Sequence, residues 1–460
     1  MTNFKNKKVA ILGWGINGLD ASRYLIKHGG QITIFDQKEK KDLNFSGFEI
    51  RKVKLVVGKD CLKKGLNNFD FIFRAPGVYR YRPEFSKAEE DGAVITSVVK
   101  LFFDLCPAKI IGVTGTKGKG TTSTLIYEIL KNDGKDAYLG GNIGTSILDL
   151  LPKLKQESWV VLELSSFQLI DMTKSPHIAV VLNITEDHMD WHKNRMEYVE
   201  AKTNIVRYQR KKDFSVLAYD HKDSRNFSEL TKGSVFYFSN SQKVLGAYVY
   251  NGIIYLDVGK KISEVGRVEN LLLRGEHNWE NVCASIIASR LAGVSIGSIK
   301  QSVFSFKGLE HRLELVGKVN GVTFYNDSFS TNPQTTIAAI KSFEEPTTLI
   351  LGGSNKGLNY DEMGKEIAKR TNIKNTILIG DIAEVIEKSI VKGKYKGQIL
   401  RFEKKDMKTI VKKCLEITPT GGVILLSPAT ASFDIFANYK ERGRKFKEAV
   451  MKLKKNETGL

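Results

Sequence analysis

A chain of 460 residues is too long for one core, so two or three domains are expected. Hydrophobic residues at 42% and charged residues at 27% describe a soluble globular protein, and no apolar run is long enough to span a bilayer. The net charge of +20 admits a nucleic-acid binder or an enzyme for several anionic ligands, but the lysines are scattered over helices and loops and form no stripe with aromatics, which argues against nucleic acid. Cys61, Cys106, Cys283 and Cys414 are far apart and form no Cys-x-x-Cys pair. With no signal peptide visible, a reduced, cytoplasmic protein without a cysteine metal site is expected.

The first domain is expected over residues 1–105. A strand is predicted at 8–12, a helix at 19–28 and a second strand at 31–35 that ends at Asp36. Gly13-Trp14-Gly15-Ile16-Asn17-Gly18 joins the first two. This is a βαβ unit with Gly-x-Gly-x-x-Gly in its first turn and an acid about twenty residues on, suited to a pyrophosphate and a ribose or base. Taken alone it indicates NAD or a relative; in context it need only hold some nucleotide diphosphate. A further strand runs into the turn Ala75-Pro76-Gly77.

The central domain is expected over 106–309. A buried strand at 110–113 leads through Gly115-Thr116-Lys117-Gly118-Lys119-Gly120-Thr121-Thr122 into a helix predicted from 123. Strand, glycine-rich loop and helix turn backbone N–H groups toward one point with a helix N-terminus behind it, which suits a polyphosphate. Lys119 supplies a point charge, and Thr121 is the candidate hydroxyl for Mg²⁺, because Gly120 stands where Ser or Thr usually follows the lysine. Gly140-Gly141-Asn142-Ile143-Gly144 reads as a second glycine-rich turn. The apolar strand 159–162 ends at Glu163, a natural Mg²⁺ ligand at a strand end, followed by Leu164-Ser165-Ser166-Phe167-Gln168. After the strand 178–182, Asp187, His188, Asp190 and His192 crowd one loop, a density of titratable groups that points to a cation or substrate. His192 individually is expected at the surface. Lys202 lies on a helix predicted over 197–206, where periodicity alone makes it a solvated charge. Asn251-Gly252 signals a hairpin, and Asn278 and Asn281 on the following helix are spaced to face one ligand.

The third domain is expected over 310–460. Two strands turn at Asn320-Gly321, and later strands alternate with helices as in a second doubly wound sheet. Polar loops follow the strand ends at 352–357 and 427–434, and the C-terminal lysine-rich helix end reads as a solvated tail.

The order of these motifs resembles the Mur ligases over essentially the whole chain. The resemblance rests on the Gly115–Lys119 loop, Glu163-Leu164-Ser165-Ser166-Phe167-Gln168, residues 183–190, Glu276-His277-Asn278, His311-Arg312, Asn326-Asp327-Ser328 and Ser427-Pro428-Ala429. The superfamily also includes folylpolyglutamate synthase; the Gly-x-Gly-x-x-Gly first domain favours the branch that adds D-glutamate. The implied fold is α/β in three domains: a Rossmann-like N-terminal domain, a central P-loop ATPase-like domain and a C-terminal Rossmann-like domain. The implied chemistry is ATP-driven amide formation through an acyl phosphate. Its implied substrates are ATP, D-glutamate and UDP-N-acetylmuramoyl-L-alanine, with two Mg²⁺ sites, a monomer, and no nucleic-acid or membrane partner.

Carried over residue by residue, the resemblance assigns Ile16, Asn17, Asp36 and Ala75-Pro76-Gly77 to the uridine nucleotide and Asn142 to the muramoyl-peptide end. Lys119 would bind the β- and γ-phosphates, Thr121 and Glu163 one Mg²⁺, and His188 a second. Lys202 matches the lysine that the family carbamylates into an anionic support for Mg²⁺. Asn278 and Arg312 would meet adenine and phosphates, with Asp327 near the ribose. Thr331, Lys356, Ser432 and Tyr439 match positions that hold D-glutamate. Two positions depart from the pattern. Phe329 stands where the D-glutamate branch commonly has lysine, and Gly120 is closer to the folate branch, so the incoming amino acid stays open. A dehydrogenase using the first domain, and a basic ATP-dependent nucleic-acid binder, are the rival readings.

Overall fold

A computed structural model of the chain describes residues 3–142, 146–259, 261–402 and 406–458. Ile143 and Gly144, the end of the expected second glycine-rich turn, lie outside the described residues. The described residues build three sheets. By compactness the chain falls into two units: residues 1–269 with 279–303, and residues 270–278 with 304–460.

The first unit carries two sheets. The N-terminal sheet is all parallel, in the spatial order Lys54–Val57, Gln31–Asp36, Lys8–Leu12, Phe71–Arg74, Val94–Thr96. The order reverses at Lys8–Leu12, so the turn after it and the turn after Phe71–Arg74 open side by side at the C-terminal edge, where ligands collect in such sheets. Gly18 is dictated by packing: a Cβ there would lie 2.3 Å from the carbonyl oxygen of Gly13. The helix Ile16–Lys27 therefore starts tight against the strand end, with no side chain capping its first N–H groups.

The central sheet has nine strands. Its parallel core places Lys109–Thr114 between Ile178–Val181 and Trp159–Glu163, with Ala137–Gly141 outside the latter. These strands are nearly continuous apolar runs, as burial on both faces requires. Gly140 and Gly141, expected in a turn, close the strand Ala137–Gly141 instead, with Gly141 paired to Glu163. The far side is antiparallel, and the Asn251-Gly252 hairpin forms between Gly246–Tyr250 and Ile253–Asp257 as expected, with both turn residues at positive φ.

The second unit holds a six-stranded sheet in the order Glu314–Val319, Val322–Asn326, Val423–Leu426, Thr347–Gly352, Ile373–Ile379, Gln398–Phe402. Only the first pair is antiparallel, turning at Asn320-Gly321 as the sequence predicts. The C-terminal helix Tyr439–Thr458 is not merely a solvated tail: Phe446, Ala449 and Val450 are buried in a core shared with Phe324, Ile350 and Leu426.

Candidate active site

The loop after Lys109–Thr114 is tighter than the sequence suggests. The helix begins at Lys119, four residues earlier than predicted, and runs to Asn132. Gly118 caps it at φ 84°, and a Cβ there would fall 2.2 Å from Asn281 Oδ1. No residue but glycine suits both the φ and the space. Lys119 Nζ curls back over the loop and donates to the carbonyls of Gly115 at 3.0 Å and Thr116 at 2.9 Å. Thr116 is buried, its hydroxyl 2.9 Å from the Tyr198 hydroxyl and accepting from the Thr185 N–H. The loop is thereby tied to the segment after Ile178–Val181. Lys117 and Thr121 are at least partly exposed at the loop and the first helical turn, and Gly120 is buried there.

Around this loop the sheet register sets the floor of the site. Val113 pairs with Glu163 and Thr114 with Val181, so the three loops that follow are neighbours. Glu163 is buried, and its Oε1 accepts from Asn142 Nδ2 at 3.0 Å. Lys202, read by periodicity as solvated, is 1% exposed. Among the described residues its Nζ has only the Gly115 carbonyl at 3.1 Å and the Thr114 hydroxyl at 3.4 Å as hydrogen-bond acceptors, and it lies 4.6 Å from the centre of the Tyr198 ring. Burial first, and then the charge of Lys119, push its pKa well below the usual lysine value, although Asp187 and Glu163 oppose this. Burial and the charge of Lys119 both work against the charged, ammonium form.

His188 is exposed on the next loop, at φ 58°, with Nε2 3.5 Å from Asp187 Oδ2 and its ring 4.6 Å from that of Phe167. His192 corrects its surface assignment. It is buried, with Nδ1 3.1 Å from Glu197 and Nε2 2.9 Å from the Ser166 hydroxyl. The segment's hydrophobic neighbours, Trp191 and Phe167, cover it, a tertiary effect that no local pattern encodes. The buried carboxylate of Glu163, the Thr121 hydroxyl and the His188 imidazole are donor types that fit a divalent cation with phosphate oxygens.

In the N-terminal sheet, Ile16 is 67% exposed at the head of its helix and Asn17 lies beside it. Asp36 accepts from the Trp14 N–H at 2.6 Å and the Lys38 N–H at 2.8 Å, so it also braces the glycine turn. Sequence reasoning missed Arg74. Its side chain is fully buried and donates to the carbonyls of Val78 at 2.9 Å and Phe167 at 2.8 Å and to Asp171 at 3.1 Å. It fixes the Ala75-Pro76-Gly77 turn against the Ser166–Leu169 helix.

In the second unit, Asp327 is buried, accepting from the Ser330 and Ser427 hydroxyls and the Leu313 N–H. Burial raises its pKa to about 6 against those hydrogen bonds. The Arg312 guanidinium lies 3.8 Å over the centre of the Phe329 ring, and Tyr439 meets the same ring edge-on at 5.1 Å. Ser432 is buried with no hydrogen-bond partner for its hydroxyl among the described residues, Thr331 and Tyr439 are half-buried, and Lys356 is exposed. Arg442, also missed, is fully buried and donates to Ser328, Gly352, Thr430 and Ala431, joining three strand-end loops. Its only sequence cue is an arginine-glycine pair inside a lysine-rich helix. Asn278 donates to the Arg274 carbonyl, whereas Asn281 accepts from Thr122 Oγ1, so the two asparagines expected to share a ligand have separate protein partners.

Three family descriptions match the chain in order: the Mur ligase MurD-like N-terminal domain over residues 7–97, the Mur ligase middle domain over 113–289, and the Mur ligase glutamate ligase domain over 311–430. A UDP-N-acetylmuramoylalanine--D-glutamate ligase of Acetivibrio thermocellus is 41% identical, covering 97% of this chain and 96% of its own. A ligase of the same name from Ruminiclostridium cellulolyticum is 39% identical over 98% and 97% of the two chains. Among solved structures, a UDP-N-acetylmuramate-alanine ligase from Thermotoga maritima shares the fold, with a TM-score of 0.58 at 17% identity over 97% of this chain and 100% of that one. On its matched domains and its near-full-length relatives, the chain belongs to the Mur ligase family.

Proposed function

We infer that this chain is the ATP-dependent ligase that adds D-glutamate to UDP-N-acetylmuramoyl-L-alanine in peptidoglycan precursor synthesis, as its relatives are named. The observation that carries the reading is the pairing of a phosphate loop with a buried lysine at its floor: Lys119 folded over Gly115 and Thr116, and Lys202 bonded to Gly115 from below. The chain acts as a cytoplasmic monomer; among the described residues no helix is long and apolar enough to cross a membrane.

The N–H groups of residues 115–121 and the Lys119 ammonium hold the triphosphate, with Lys119 leaving its two loop carbonyls for phosphate oxygens. Thr121 and Glu163 would hold one magnesium ion and His188 a second; magnesium would there supply positive charge against the phosphates. The Lys202 amine, whose pKa burial lowers, would bond to the carbon of carbon dioxide and release a proton to solvent, and the resulting anionic carbamate would support the cation. Ile16, Asn17, Asp36 and residues 75–77 seat the uridine diphosphate, and Asn142 the muramoyl-peptide end. The substrate carboxylate attacks the γ-phosphorus of ATP and expels ADP; the amine of D-glutamate then attacks the carbonyl carbon of the acyl phosphate and expels inorganic phosphate, losing a proton as the amide forms. Asn278, Arg312 and Asp327 serve the nucleotide. Thr331, Lys356, Ser432 and Tyr439 serve D-glutamate, and the unpartnered Ser432 hydroxyl suits a small polar ligand.

The test is phosphate release with ATP, UDP-N-acetylmuramoyl-L-alanine and a panel of amino acids. Release that depends on D-glutamate is expected. Release with another amino acid, or with a folate substrate, moves the chain to another branch; stimulation by DNA or RNA alone, or nicotinamide turnover, contradicts the reading. Lys119→Ala is expected to fold and to lose at least ~10²-fold in turnover.

A further inference from the structure

His192 enters the structure with two opposite partners. Glu197 accepts only, so Nδ1 carries the proton toward it at 3.1 Å, and Nε2 takes the Ser166 hydroxyl at 2.9 Å. Ser166 opens the short helix three residues beyond Glu163. Glu197 lies in the first turn of the helix Arg195–Arg207, which carries Lys202. The imidazole therefore spans the two segments that present Glu163 and Lys202.

The same strut continues into the N-terminal sheet. The Tyr79 hydroxyl donates to the second oxygen of Glu197 at 2.7 Å, and Trp191 Nε1 donates to the Gly77 carbonyl at 3.1 Å. The Phe167 ring lies nearly parallel to the imidazole, 5.7 Å away at 16°, and fixes its plane. One run of hydrogen bonds thus links the 75–77 turn, the Lys202 helix and the segment after Glu163. A side chain with no exposed surface and partners at both nitrogens holds one geometry.

We propose that His192 is a positioning residue that sets the separation of Glu163 from Lys202, and so the affinity of the site for a divalent cation, while Glu197 and Tyr79 join it to the nucleotide-sugar turn. This rests on the magnesium assignments above. It touches no substrate and moves no proton in the reaction.

The probe is Mn²⁺ with ATP, with unbound Mn²⁺ read by its paramagnetic resonance signal, in the wild type, His192→Phe, Ser166→Ala, their double variant and Glu163→Gln. His192→Phe keeps the ring against Phe167 and removes both hydrogen bonds. It is expected to weaken Mn²⁺ retention by about tenfold or more, the usual loss for an outer-shell partner. Ser166→Ala is expected to weaken it less, and the double variant no more than His192→Phe, because one strut is broken twice. The KM for UDP-N-acetylmuramoyl-L-alanine should rise in both single variants, a split that simple loss of folded protein does not produce. Mn²⁺ affinity within twofold of wild type in His192→Phe, with Glu163→Gln impaired, overturns the proposal alone. Unchanged affinity in Glu163→Gln overturns the magnesium assignment and the proposal with it. If His192→Phe does not fold, an unchanged Ser166→Ala makes His192 merely structural and overturns the proposal.

Discussion

Lys202 and Arg442 are both cations buried to the last few per cent, one in each unit, and they have opposite chemistry. Arg442 donates to four carbonyls and the Ser328 hydroxyl, and although burial lowers its pKa to about 10 it stays charged at neutral pH. Lys202 has two long hydrogen bonds and the like charge of Lys119 nearby, so its proton is held poorly. The number of acceptors, more than depth, decides whether a buried cation is a staple or a reagent. Arg442 joins three loops at the C-terminal edge of its sheet, whereas Lys202 donates only to the end of one strand and the first residue of the loop after it among the described residues.

The comparison can be broken most directly at Lys202. Lys202→Met is expected to cost at least ~10²-fold in turnover and little in stability, since an apolar chain replaces a poorly solvated amine. Steady-state phosphate release together with urea unfolding checks both halves; a large loss of stability would contradict the contrast. Arg442→Met should behave in the opposite sense. It strips partners from several buried acceptors and should destabilise the second unit by about 3 kcal/mol or more. Near-normal unfolding in urea would show that the loops hold without the guanidinium.

Asp327 sharpens the same point with an anion. Its folded pKa of about 6 lies above the ordinary 3.8, so the fold binds the proton more tightly than the unfolded chain does. That stabilisation is complete below pH ~4 and is lost as pH rises through ~6, by up to about 3 kcal/mol for a shift of some two units. Asp327→Asn should flatten this slope and raise stability at pH 8, as read from unfolding midpoints at pH 4.5 and 8. Phe329→Leu is the mildest change. It removes the face on which Arg312 rests, worth about 0.5–1 kcal/mol at an exposed site, and should raise the KM for ATP roughly two- to fivefold with kcat little altered.

The sheets were legible because their strands are apolar runs closed by glycine turns, as at 8–18 and 110–120. Register and the crossing of chain segments were not. Glu163 could be placed at a strand end from sequence, but its pairing with Gly141 and Val113 is a property of the assembled sheet. Lys202, His192, Arg74 and Arg442 look alike in sequence to dozens of solvated side chains. What distinguishes them is burial by segments distant in the chain: residues 114–116 over Lys202, Phe167 against His192 and Arg74, and Thr430 and Gly352 around Arg442. Only the family resemblance lifted Lys202 out of that background. The helix starts at Lys119 rather than 123 although Gly120 and two threonines have weak helix propensity, so the local preference of its first turn did not mark its true start.

The central claim is that the loop at residues 115–121 holds the triphosphate. A crystal structure after soaking with the magnesium complex of a non-hydrolysable ATP analogue tests it most directly. Phosphate density is expected against the loop N–H groups, with Lys119 Nζ turned away from the Gly115 and Thr116 carbonyls. Nucleotide found only at the 13–18 turn of the N-terminal sheet, with Lys119 still closed over its loop, would contradict it.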